Sequence, residues 1–120
     1  MKERLIAIAI GCTCLTLATV AEARTSYDGA WDLVFVTQRG SCDPTYTFSV
    51  NVNDGIVTHP NLVKFRGHVA RTGAVRASVT VHEKYASGSG KLRGDSGGGR
   101  WTGHAGAERC SGYWTAHRSH

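Results

Sequence analysis

The sequence predicts an all-β fold: a small antiparallel up-and-down barrel of seven to eight strands, with a flattened β-sandwich as runner-up, preceded by a signal-peptide helix. Apolar residues alternate with polar ones at period two in segment after segment, and no stretch sustains a helical period. Gly, Asn and Asp recur between these segments, where hairpins turn. The chain has 120 residues, 41% of them hydrophobic. That supplies one core and excludes a second domain or a large cofactor-binding α/β fold.

The first segment reads as an address. Lys2 and Arg4 precede an apolar run from Leu5 to Val20, and Ala21-Glu22-Ala23 offers small residues at a cleavage site. The run is short for a membrane span, so residues 1–23 are expected to be a signal peptide and 24–120 the single β domain. A retained anchor helix is the alternative. A lipoprotein site at Gly11-Cys12 fits less well, because the chain stays apolar beyond Cys12. The leader's charges cancel, so the remainder keeps the net +5 of the whole chain. Removing Cys12 and Cys14 leaves Cys42 and Cys110, an even pair in an exported chain, expected as one disulfide. Closing so long a loop contributes about 4 kcal/mol in the chain-entropy account. A metal-bound or reactive pair is disfavoured by their separation.

The strands follow in order. Trp31, Leu33 and Phe35 are the inward residues of a first. Tyr46, Phe48, Val50 and Val52 alternate with polar residues in a second, ended by Asn53-Asp54-Gly55. Ile56–Thr58 is a short third: a two-residue loop buries Val57, a three-residue loop Ile56. A fourth buries Val63, Phe65 and Val69. The loop Arg71-Thr72-Gly73 leads into a fifth, which buries Val75, Ala77, Val79 and Val81. Tyr85–Arg93 is a sixth, with Ala86, Gly88, Gly90 and Leu92 inward. Asp95–Gly98 turns it into a seventh, Gly99–Gly103, carrying Trp101. Cys110–His117 is the eighth, with Gly112, Trp114 and Ala116 on the face of Cys110. Closing such a meander removes its exposed edges. The inward glycines of strands six to eight leave room for large rings, so the core aromatics Trp31, Phe35, Phe48, Phe65, Trp101 and Trp114 are expected to fill a barrel of this width.

Gly29-Ala30-Trp31 resembles the Gly-x-Trp opening of lipocalin- and avidin-type barrels. A wider pattern runs through Tyr27–Trp31, Thr37–Asp43, Gly73–Arg76, Ala86–Gly90 and Cys110–Trp114. It resembles small exported β-rich proteins of Gram-negative bacteria, a group without an established activity, and implies export and fold alone. Ser87-Gly88-Ser89-Gly90-Lys91 is similar to the Ser-Gly-rich loop of periplasmic lysozyme inhibitors. That resemblance implies contact with an acidic enzyme site through Ser89 and Lys91. The rest of that motif is absent, and a basic inhibitor meets a basic lysozyme with long-range repulsion.

Strand pairing points to charge. Joining strands four and five through Arg71–Gly73 sets His68 opposite Arg76. Joining five and six at Glu83-Lys84 sets Val81 opposite Ala86 and Arg76 opposite Lys91. Joining six and seven at Asp95–Gly98 sets Leu92 opposite Trp101 and Arg93 opposite Arg100. The outer face then gathers Lys64, Arg66, His68, Arg76, Lys91, Arg93 and Arg100 with no acid between them. Like charges facing one another disfavour a sheet, so an anionic partner is expected, and arginine suits bidentate contact with phosphate or carboxylate. A merely solubilising face is the bland alternative.

The expected function is an exported binding or structural module, not an enzyme, contacting anionic polysaccharide or lipid headgroups of the envelope or matrix. Localisation is periplasmic or secreted. A lysozyme-directed inhibitor and a calycin-like small-ligand barrel are the alternatives. Nucleic acid is disfavoured, since export removes it and the tryptophans face inward. No catalytic constellation, cofactor or metal is expected: no nucleophile elbow or paired-carboxylate motif occurs, and no two histidines have ligand spacing on a strand. His117 and His120 lie close together in the C-terminal tail.

Overall fold

A computed structural model describes residues 27–61 and 64–119. The expected leader, the expected core residue Val63 and His120 lie outside the described residues. Eight antiparallel strands run as β1 (Gly29–Arg39), β2 (Thr45–Asn53), β3 (Ile56–Thr58), β4 (Phe65–Val69), β5 (Ala74–Val81), β6 (Lys84–Arg93), β7 (Ser96–Ala105) and β8 (Glu108–Arg118). Each pairs with the next, and β8 returns to β1, so the sheet is a closed barrel. Closure, not the flattened sandwich, is therefore the architecture. The alternation survives in the burial: Val50, Val52, Val75, Leu92, Trp101, Cys110, Trp114 and Ala116 are buried on the inward phases.

The turns explain where each strand begins. Asp54 and Gly55 both have positive φ, so β2 and β3 are joined by two residues, and Val57 is the buried residue of β3. Ile56 is left 52% exposed. Between β4 and β5, Gly73 takes φ 98° and the Ala70 amide bonds the Ala74 carbonyl, which is the three-residue loop expected from Arg71-Thr72-Gly73.

Two registers differ from expectation. The β5–β6 turn is His82-Glu83, so Val81 faces Lys84 instead of Ala86, and Arg76 faces Ser89 instead of Lys91. The β6–β7 turn is Gly94-Asp95, with Gly94 at φ 63°, so Leu92 faces Gly97 and Trp101 faces Gly88. Arg93 faces Ser96, and Arg100 faces Ser89. The glycines that read as a turn lie in β7, beneath packed neighbours: a Cβ on Gly97 would come within 2.5 Å of Leu92 Cδ2. His117 is a strand residue opposite Asp32, not part of a tail.

The three tryptophans are held by specific bonds. Buried indole N–H groups need acceptors. Trp31 Nε1 donates to the Tyr27 carbonyl at 2.8 Å, Trp101 Nε1 to Val36 at 3.1 Å, and Trp114 Nε1 to Ser89 at 3.2 Å. Bare backbone lets the last two rings approach. A Cβ on Gly90 would stand 2.7 Å from Trp114 Cζ2, and one on Gly112 would stand 3.0 Å from Trp101 Nε1. The centre is accordingly filled, with an apolar void of about 60 Å³. Cys42 and Cys110 form the expected disulfide, with Cα atoms 6.2 Å apart.

Candidate functional site

Strand pairing on the outer wall sets out two neighbouring rows. One runs Arg66–Ser78–Ser87–Thr102–Ser111 across β4 to β8. The other runs His68–Arg76–Ser89–Arg100–Tyr113. Neighbouring strands lie about 4.8 Å apart, and facing side chains start about 5 Å from one another. Arg66, His68, Arg76 and Arg100 thus surround a floor of short hydroxyl side chains. The sequence dictates the shape: long residues stand at the margins and Ser, Thr and Gly in the middle. The result is an open depression of about 810 Å³ lined by Arg66, His68, Arg76, Ser89, Arg100 and Thr102, with Ser78, Ser87 and Gly88 beneath them.

The electrostatics are one-sided. All four basic residues are exposed, and their side chains form no ion pair or hydrogen bond among the described residues. None of the acids lines the depression, and three of them are engaged elsewhere. Asp32 on β1 accepts the Ser49 hydroxyl at 2.9 Å. Glu108 accepts the Ser41 amide at 3.1 Å. Asp95 pairs with Arg118 at 2.9 Å. An oxyanion placed over the floor would meet guanidinium forks on two sides and hydroxyl donors below, the combination that holds phosphate, sulfate or carboxylate groups.

The structure brings together four of the seven basic residues singled out in the sequence. Lys91 lies one step along β6 from Ser89 and does not line the depression. Arg93 is at the far end of β6, opposite Ser96. Lys64 stands in the turn before β4, where its carbonyl accepts the Thr80 amide at 3.2 Å. Ser87–Lys91, likened above to an inhibitor's loop, is instead the middle of a strand paired on both sides.

Sequence reasoning missed the hydroxyl floor, because it depends on Ser89 facing both Arg76 and Arg100. It also missed the far end of the barrel. There Phe35, Phe48, Phe65, Val79, Val81 and Trp101 wall an apolar cavity of about 330 Å³. Phe35 packs edge-on against Phe48 and Trp101, with ring centroids 5.6 and 6.2 Å away. All three phenylalanines are half-buried, so these core aromatics form a wall more than a plug. No group of three or more His, Cys, Asp or Glu residues is placed to hold a metal ion among the described residues. No family model matches the chain, and no curated protein or solved structure matches it significantly.

Proposed function

We propose that this protein is an exported, non-enzymatic binding module whose outer wall takes the oxyanion groups of acidic polysaccharides or lipid headgroups. The carrying observation is the arrangement of Arg66, His68, Arg76 and Arg100, unpaired with any acid among the described residues, around the hydroxyls of Ser78, Ser87, Ser89 and Thr102. The three guanidinium groups around one depression repel one another, and an anionic partner relieves that repulsion. The leader-like N-terminus and the disulfide of Cys42 with Cys110 support a periplasmic or secreted setting. The seat is a rigid closed sheet, so little ordering is needed when a ligand arrives.

The test is retention on immobilised heparin and on lipopolysaccharide across a salt series. Arg76→Glu/Arg100→Glu is expected to elute at far lower salt than the unaltered protein. Arg39→Glu/Arg93→Glu makes the same charge change outside the depression and should retain most of the binding. Equal loss in both double variants would reduce the effect to net charge and remove the site.

A further inference from the structure

The two ends of the barrel treat an inward-phase cation in opposite ways. Arg118 shares the inward phase of Cys110, Gly112, Trp114 and Ala116 at the end where β8 stops. It is satisfied on every side. Nε bonds Asp95 Oδ1 at 2.9 Å, Nη1 the Asp28 carbonyl at 2.7 Å and Nη2 the Gly94 carbonyl at 3.3 Å. Its guanidinium carbon lies 4.9 Å from the centre of the Trp31 ring. Lys84 shares the inward phase of Ala86 at the other end, facing Val81 on one side and Ala105 on the other. It is exposed, and its ammonium makes no hydrogen bond or ion pair among the described residues. Lys84 borders the 330 Å³ cavity walled by the phenylalanines and Trp101.

We propose that the open end of the barrel binds an anionic amphiphile, with its apolar chain in the aromatic cup and its carboxylate on Lys84. The cup's surface is almost wholly apolar, so water there finds few of the two to four polar partners that hold it. An apolar occupant removes that surface from contact with water, which stabilises the complex. A neutral occupant leaves Lys84 without a counter-charge, and an anionic one supplies it. Depth sets length. Trp101 and Trp114 fill the barrel below, where the remaining apolar void is only about 60 Å³. The fitting ligand is therefore a single acyl chain of medium length. This site is independent of the basic depression on the outer wall.

The experiment titrates the intact, disulfide-bonded protein with dodecanoate below its micelle threshold. Tryptophan emission reports binding, because Trp101 lines the cup, and calorimetry checks it. A single saturable site is expected. Lys84→Glu is expected to weaken dodecanoate about tenfold while leaving dodecanol unchanged. Ala105→Trp, which fills the rim without removing a core side chain, should weaken both. Thermal unfolding of each variant separates lost binding from lost fold. Arg76→Glu/Arg100→Glu should bind dodecanoate like the unaltered protein, keeping this site distinct from the outer wall. Absence of saturable dodecanoate binding overturns the proposal, as does a Lys84→Glu protein that binds dodecanoate and dodecanol with unchanged affinities.

Discussion

At the closed end of the barrel, Trp31 and Ala116 are each 1% exposed, and Arg118 ties the last strand to the β6–β7 turn and to the residues before β1. At the open end Phe35, Phe48 and Phe65 are half-buried, and the lysine in the matching role has no partner among the described residues. The composition is similar: aromatic rings inside, one inward cation at the rim. What differs is completeness. At one end every inward group meets another group of the same chain. At the other the contacts stop at the rings, and an apolar cavity lies beyond them. An incompletely packed region carries less of the stability and is where binding sites are placed.

That contrast can be broken by truncation. Trp31→Ala at the closed end is expected to destabilise the fold by about 3–5 kcal/mol, since it removes a fully buried ring and the bond to the Tyr27 carbonyl. Phe48→Ala should cost about half as much or less, because part of its ring already meets solvent. Equal losses in urea unfolding would mean that the two ends are equally packed. Removing the disulfide as Cys42→Ala/Cys110→Ala should cost about 4 kcal/mol and loosen the open end, since it pins the β1–β2 loop to β8. Hydrogen exchange should quicken first around residues 40–44 and only later around Trp31.

The cation pair sharpens the comparison at smaller scale. Arg118→Ala is expected to cost about 1–2 kcal/mol through its carbonyl bonds and the Trp31 face. The exposed Asp95 partner contributes little of that, because solvent screens it. Lys84→Ala should change stability by less than about 0.5 kcal/mol. A last variant concerns the turns. Gly94 and Gly106 begin their hairpin turns at φ 63°, whereas His82 begins the β5–β6 turn at φ 56° with a full side chain. His82→Gly should raise stability by about 0.5 kcal/mol, since glycine reaches that conformation without a Cβ penalty.

How much of this was legible can be read from β6 and β7. Alternation alone assigned Leu92, Trp101, Trp114 and Ala116 to the interior, and all four are buried there. The partners of those residues were not legible. The predicted β5–β6 and β6–β7 registers differ from the structure by two and four residues. Both slips are even, and an even slip leaves each side chain on the same face. The basic outer wall was therefore foreseeable, while the hydroxyls within it and the separation of Arg93 from Arg100 were not. Ser87–Gly90 and Gly97–Gly99 offer few side chains by which one register differs from another, and the choice falls to the tryptophans on neighbouring strands. The open end was illegible for a related reason: period two says that Phe48 and Phe65 point inward, but not whether anything lies above them.

Closure through β8 also governs when the molecule can exist. The final strand brings half of the disulfide, one of the three indoles, the arginine that locks the closed end and the strand that pairs with the outer edge of β1. A chain that still lacks this strand lacks all four at once and exposes two unpaired borders. Folding thus waits for the eleven-residue β8, and its pairing with β1 is the moment of locking.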